Sequence, residues 1–211
     1  MMMLIPRLYP ILDAGLLSAR HIPIEQFVRD LAAAGVTLLQ YRDKSAPPQT
    51  ILANLKLIRE VAPGVTLLLN DRPDLARLGG CDGVHVGQTD LHPNDARTIL
   101  GPGKIIGVST HNLSQFEAAM ETEADYLAIG PIYATTTKQN PDPVTGLELL
   151  RQTRRLTSKP IVAIGGITPQ RAREVLDAGA DSIAMISALV PAGPESSAMP
   201  LVESLLGLLG A

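Results

Sequence analysis

The feature that most restricts how this chain can fold is an alternation, repeated eight times, of a short aliphatic or β-branched run with a longer amphipathic segment. The runs fall at 8–12, 37–41, 66–69, 83–86, 105–108, 126–129, 161–164 and 182–185. Helical patterns occupy 24–34, 49–61, 73–78, 93–100, 113–121, 146–156 and 169–178, and a last one at 200–209 closes the chain. Strands alternating with helices imply βαβ units, whose parallel strands all point the same way. Eight units in 211 residues match the smallest version of a (β/α)8 or TIM barrel, with the active site on the loops after the strands. The expectation is a single TIM-barrel domain over residues 1–211. A doubly wound open sheet is the alternative, but no Gly-x-Gly-x-x-Gly follows the first run, and a count of eight favours closure.

Several helix ends support this reading. Ala34-Gly35, Ala178-Gly179 and, less clearly, Gly79-Gly80 put a glycine just past a helix and immediately before an apolar run, where a left-handed residue is needed. Composition narrows the function classes. A formal net charge of −3, no Trp and 3% aromatics supply neither the basic field nor the stacking surface of a nucleic-acid binder. No stretch approaches the roughly 20 apolar residues of a membrane span, and the opening Met1-Met2-Met3-Leu4-Ile5 is too short for a signal peptide, so a cytoplasmic protein is expected. The single Cys81 has no internal disulfide partner and is expected to pack as a small apolar residue, and four scattered His give no zinc spacing.

The expected chemistry gathers where runs end. Leu67-Leu68-Leu69 stops at Asn70-Asp71, and 83–86 stops at Gly87-Gln88-Thr89-Asp90. Parallel strands put both ends on one face, so Asp71 and Asp90, 19 residues apart, can meet across adjacent strand ends. Carboxylates beside an Asn and a Gln suit Mg²⁺, which takes oxygen ligands and leaves positions open for phosphate, and a diphosphate substrate follows as the first hypothesis. Helix capping by the same two Asp is the plainer alternative.

The second run ends in Gln40-Tyr41-Arg42-Asp43-Lys44, where Gln40, Arg42 and Lys44 fall on one side of an extended chain and form an anion receptacle. After the fifth run, Ser109 is placed to hydrogen-bond a substrate, Thr110 or Asn112 to cap the next helix, and His111 to act as a base or a bystander. After the sixth, Thr135-Thr136-Thr137-Lys138 opens a polar loop suited to closing over a phosphorylated ligand. Gly165-Gly166 after the seventh and Ile186-Ser187 after the eighth occupy the usual phosphate site of such barrels.

Taken together, these segments resemble the thiamine phosphate synthase family along nearly the whole chain. The matching stretches, in order, are 40–44, Asn70-Asp71-Arg72, 82–90, Gly107-Val108-Ser109-Thr110-His111, Gly130-Pro131-Ile132, 135–138, Gly146-Leu147, 163–167 and Met185-Ile186-Ser187. The resemblance implies a transferase that joins hydroxymethylpyrimidine diphosphate to hydroxyethylthiazole phosphate, or its carboxylated precursor, giving thiamine phosphate and pyrophosphate. It implies that Gln40, Arg42, Lys44, Asn70, Ser109 and Lys138 bind the pyrimidine diphosphate, with Arg42, Lys44, Ser109 and Lys138 acting in catalysis. Asp71 and Asp90 would hold Mg²⁺, and Thr135, Thr137, Gly166, Ile186 and Ser187 the thiazole phosphate. Two departures stand out: Tyr41 replaces a common aliphatic residue and should face away from the site, and the 135–137 run lacks the Pro or Lys often found at its middle.

The family chemistry needs little proton transfer, because a pyrimidine-stabilised carbocation forms as pyrophosphate leaves. That fits the absence of an obvious acid-base dyad. The rival is a sister barrel that binds the thiazole phosphate alone, as a tautomerase or a regulatory protein. Other phosphate-binding barrels, such as sugar-phosphate epimerases, need acid-base groups not found at the strand ends. Small-molecule substrates are the expected partners, and the sequence leaves open a homo-oligomer.

Overall fold

The structure is a computed structural model that describes residues 5–135 and 142–210. Eight parallel strands close in sequence order: β1 Leu8–Asp13, β2 Leu38–Arg42, β3 Thr66–Asn70, β4 Gly83–Val86, β5 Ile105–Thr110, β6 Tyr126–Ile129, β7 Ile161–Ile164 and β8 Ser182–Met185. β8 returns to β1 with Leu8 opposite Ile183, and the Ile183 N–H donates to the Arg7 carbonyl at 2.8 Å. The helices are α1 Ala14–Ala19, α2 Ile24–Ala33, α3 Pro48–Val61, α4 Pro73–Leu78, α5 Pro93–Leu100, α6 Leu113–Met120, α7 Gly146–Arg154, α8 Pro169–Asp177 and α9 Met199–Leu209, with a 3₁₀ turn at Ser187–Leu189 before α9. The closed barrel expected from the eightfold alternation is the fold observed.

Two differences from expectation have local causes. Helix α1 was not anticipated: six residues are too few to show a period, and the Asp13 carboxylate starts it by accepting the Leu16 N–H at 2.9 Å. Strands β1, β2, β3 and β5 also run one or two residues further than the apolar runs, because polar Asp13, Arg42, Asn70, Ser109 and Thr110 continue the ladder. The chemistry therefore starts on rigid strand ends rather than on loops.

Alternation along the strands makes two cores. One set of side chains, with Leu39, Tyr41, Leu67, Leu69, Val84 and Val86, packs outward under the helices, joined by Cys81 and by Phe27, Leu31, Leu55 and Phe116. The other, with Tyr9, Ile11, Leu38, Leu68, Tyr126, Ala128, Val162 and Ala184, fills the barrel. Tyr41 does face away from the rim, its hydroxyl donating to Asp43 and accepting from the Asn54 amide. For the largest ring of the β6 strand the interior makes room with a glycine. A Cβ on Gly107 would lie 2.0 Å from Tyr126 Cζ, so this glycine is what admits the Tyr126 ring.

The amino end of the barrel carries one device three times. Asp82, Asp125 and Asp181 each precede an even-numbered strand, and each accepts a backbone N–H from the strand before it: Leu67 at 2.8 Å, Ile106 at 2.7 Å and Ile161 at 2.8 Å. An arginine from the helix that precedes each strand pair joins the carboxylate, Arg59 at 2.8 Å, Arg97 at 2.8 Å and Arg154 at 2.7 Å. Each clasp locks a strand pair's register at the face opposite the expected site. Asp125→Ala, which orphans the Ile106 N–H and one arm of Arg97, should therefore cost about 1–3 kcal/mol in urea unfolding while leaving KM unchanged.

Candidate active site at the carboxyl rim

At the end of β3 the backbone makes a tight reversal. Asp71 has φ 64°, a left-handed conformation that Asp adopts more readily than bulkier residues, and its N–H donates to the His85 carbonyl of β4 at 2.7 Å. On β4 the chain turns so that the Gly87 N–H donates to Asp90 Oδ2 at 2.7 Å. The two carboxyl groups meet side chain to side chain. Burial, and then the neighbouring Asp71, push the Asp90 pKa above the ordinary carboxylate value. Lys44 reaches over from the segment after β2 and pairs with Asp71. Neither Asp71 nor Asp90 accepts the capping hydrogen bond of the helix that follows; His92 takes that role at α5.

Two carboxyl groups this close repel when both are ionised, and a divalent cation relieves that repulsion. Among the described residues, no group of three or more His, Cys, Asp or Glu is gathered as a metal site. A pair nonetheless fits Mg²⁺, which keeps most of its coordination for water and substrate phosphate.

The anion receptacle expected at the end of β2 is more structured than its alternation implied. Gln40 is turned into the barrel, where its amide nitrogen donates to the Tyr9 hydroxyl at 2.7 Å. Arg42 pairs with Asp13, the buried cap of α1, and Lys44 with Asp71. All three thus have protein partners, and the two cations are held by carboxylates beside the acidic pair. Asn70, half-buried at the end of β3, lies in register with His85.

Ser109 sits on β5, its hydroxyl 2.8 Å from His85 Nε2 and its carbonyl accepting from the Gln88 amide at 2.7 Å. Asn112 caps α6, accepting the Gln115 N–H at 2.9 Å, whereas the Thr110 hydroxyl donates to the Ala128 carbonyl. His111 lies with Nδ1 2.6 Å from the Gly130 carbonyl and Nε2 3.5 Å from Asp142, which ties it to the loops after β5 and β6.

On the other side of the rim, the loops after β6 and β7 are joined by Ile132 N–H to Ile164 O at 2.9 Å and Tyr133 N–H to Gly165 O at 3.0 Å. Gly165 and Gly166 both have positive φ, and a Cβ on Gly166 would lie 2.4 Å from the Ala134 carbonyl, so backbone meets backbone beside Thr135. Ile186 and Ser187 open the 3₁₀ turn after β8. Thr137 and Lys138 lie outside the described residues.

Sequence reasoning missed the polar side chains inside the barrel. His85 Nδ1 is 2.8 Å from the Tyr126 hydroxyl, which is 3.0 Å from the Tyr9 hydroxyl. Burial raises both tyrosine pKa values and depresses that of His85 to about 4, so the imidazole is neutral near pH 7. A signal was present: position 85 shares the inward parity of Gly83 on β4, and a histidine there has to find partners. Asp13 was missed because it follows an apolar run that gave no reason to extend the strand.

A closed parallel barrel with acidic, cationic and glycine groups collected at the carboxyl ends of its strands defines a (β/α)8-barrel enzyme. Residues 8–189 match the family described as thiamine monophosphate synthase. The chain belongs to that family. It is 53% identical over 189 residues to a thiamine-phosphate synthase of Koribacter versatilis, covering 88% of this chain and 90% of that one. It is 42% identical to a thiamine-phosphate synthase of Chloroflexus aurantiacus, covering 96% and 93%. A solved structure of thiamine phosphate pyrophosphorylase from Pyrococcus furiosus superposes with a TM-score of 0.83 at 32% identity, over 97% of this chain and 95% of that one.

The buried imidazole has a consequence for stability. Its pKa is depressed on folding from 6.5 to about 4, so between those pH values the unfolded chain binds the proton and the folded chain does not. Stability should fall with pH across that window, by up to about 3 kcal/mol. The raised Asp90 pKa acts with the opposite sign, so the comparison that isolates His85 is with His85→Gln. Urea midpoints at pH 7.5 and 5 should show a smaller acid loss in that variant than in the wild type.

Proposed function

We propose that the chain is a thiamine-phosphate synthase that joins hydroxymethylpyrimidine diphosphate to hydroxyethylthiazole phosphate, releasing pyrophosphate, with Mg²⁺ bound by Asp71 and Asp90. Family membership and the Koribacter and Chloroflexus relatives support the activity. The observation that carries the metal-diphosphate half of the site is the contact of the Asp71 and Asp90 carboxyl groups beside the paired Lys44. A barrel that only bound a thiazole phosphate would have no use for this cluster. No described helix is long and apolar enough to cross a membrane.

In this reading the chain binds and orients rather than moving protons. Asp71 and Asp90 would hold Mg²⁺, which would supply charge neutralisation for the diphosphate. Arg42, steered by Asp13, and Lys44, steered by Asp71, offer further positive charge to the departing pyrophosphate, a role the family resemblance also gives to Lys138. Asn70 and Ser109 orient the pyrimidine diphosphate from β3 and β5. Thr135, Thr137, Gly166, Ile186 and Ser187 hold the thiazole phosphate so that its ring nitrogen faces the cation as it forms.

Incubation with both substrates and Mg²⁺ should release thiamine phosphate and pyrophosphate in equal amounts, and EDTA should abolish both. Asp71→Ala and Asp90→Ala should each lower kcat/KM by at least about 100-fold, equivalent to roughly 2.7 kcal/mol, while retaining the wild-type circular dichroism spectrum. Wild-type turnover in either variant would remove the metal assignment. Binding of thiazole phosphate without product from the wild type would move the function to the sister barrel.

A further inference from the structure

Five polar side chains from five strands form one unbroken chain of hydrogen bonds through the barrel interior. It runs from Gln40 on β2 to Tyr9 on β1 at 2.7 Å, to Tyr126 on β6 at 3.0 Å, to His85 on β4 at 2.8 Å and to Ser109 on β5 at 2.8 Å. Its two ends are residues already assigned to the pyrimidine diphosphate. Its three middle members have no assigned role, and two of them hold the end residues, Tyr9 the Gln40 amide and His85 the Ser109 hydroxyl.

Counting protons gives the chain a direction. The Gln40 amide nitrogen donates to Tyr9, so the Tyr9 hydroxyl has its one proton left for Tyr126. Tyr126, having accepted, donates to His85 Nδ1. A neutral imidazole carries one proton, here on Nε2, and it goes to Ser109 Oγ. The opposite tautomer would leave Tyr9 accepting from both neighbours, with its own proton unplaced in a buried site. At one end, therefore, the Gln40 carbonyl oxygen is an acceptor with no partner among the described residues; at the other, the Ser109 hydroxyl has its proton to give.

We infer that Tyr9, Tyr126 and His85 are positioning residues that set this polarity and so present the substrate with one acceptor, on Gln40, and one donor, on Ser109. That pair complements a heterocycle bearing an exocyclic amino group, which donates, and a ring nitrogen, which accepts. The inference rests on the synthase reading above and adds to it how the amino-substituted ring is distinguished. It also explains why the Tyr126 ring is accommodated at all: Gly107 is left bare to admit it, and the ring stacks on His85 at 5.6 Å between centroids.

The test is Tyr126→Phe, which keeps the ring and removes the central link, assayed beside the wild type with the pyrimidine diphosphate and with its analogue lacking the exocyclic amino group. The variant should raise KM for the pyrimidine diphosphate on the order of tenfold, leave KM for the thiazole phosphate unchanged and lose most of the wild-type preference for the amino-bearing substrate. General loosening of the fold would not change that preference selectively. Nitrogen-15 spectra of the wild-type imidazole should show the proton of His85 on Nε2. Unchanged KM and selectivity in folded Tyr126→Phe, or a proton on Nδ1, would overturn the inference. If Tyr126→Phe does not fold, Tyr9→Phe breaks the same chain one link earlier and is read in the same way. A wild type that makes no thiamine phosphate would strike the synthase reading instead, a failure visible before any variant is compared.

Discussion

Closure of β8 onto β1 is the constraint on which the rest of the structure depends. It leaves no sheet edge, makes every strand parallel, and sends all eight carboxyl ends to one rim. Residues spread from Gln40 to Ser187 are thereby collected although no two of the strands that carry them are joined by a tight turn. Closure also fixes side-chain parity. Once Leu39 and Tyr41 pack outward under the helices, Leu38, Gln40 and Arg42 must face the interior or its mouth, and the same argument separates Val84 and Val86 from His85.

That parity creates a problem of volume and of polarity inside a narrow barrel. Aliphatic side chains such as Ile11, Leu38, Leu68 and Val162 fill most of it. Where the rim chemistry begins, the interior is polar, and buried polar groups there need partners. The structure meets both demands together. Glycine at 83 makes room for the backbone of β5 and glycine at 107 for the Tyr126 ring, whose hydroxyl hydrogen-bonds His85 and the Tyr9 hydroxyl, itself joined to Gln40. The buried chain is thus a packing solution that also defines the floor of the site.

Much of this was legible in sequence, unevenly and for physical reasons. Among the described residues, hydrophobic periodicity located all eight strands and eight of the nine α-helices within one or two residues, because burial on one face is what periodicity reports. The short α1 escaped, since a helix of six residues held by an Asp13 cap has little periodicity to show. At the rim, Asp71 and Asp90 could be paired from strand direction alone, since parallel neighbours must end side by side. The partners of the cations could not be read, because Asp13 and Arg42 are brought together by β1–β2 register rather than by spacing along the chain. Tyr9, His85 and Tyr126 failed for a related reason: each looks like an ordinary member of its strand until closure places strands 1, 4 and 6 around one interior.

The two ends of the barrel divide stability from chemistry. At the amino end, carboxylates at Asp82, Asp125 and Asp181 are fully engaged, each with a backbone N–H and an arginine, and nothing in their geometry asks for a ligand. At the carboxyl end, Asp71 and Asp90 face each other with Lys44 as the nearest cation, and Asp71 adopts a left-handed backbone. Carboxylates left in mutual contact are a cost to folding that persists only where the surrounding strands hold them. The same residue type is therefore used in opposite ways, and what separates the uses is the strand end at which each Asp falls. A clasped Asp satisfies its own strand pair. The Asp71–Asp90 pair shares one cation, Lys44, and one backbone N–H, from Gly87, between two carboxyl groups in contact, which leaves acceptor capacity for something that arrives, and on this fold that difference marks the active face.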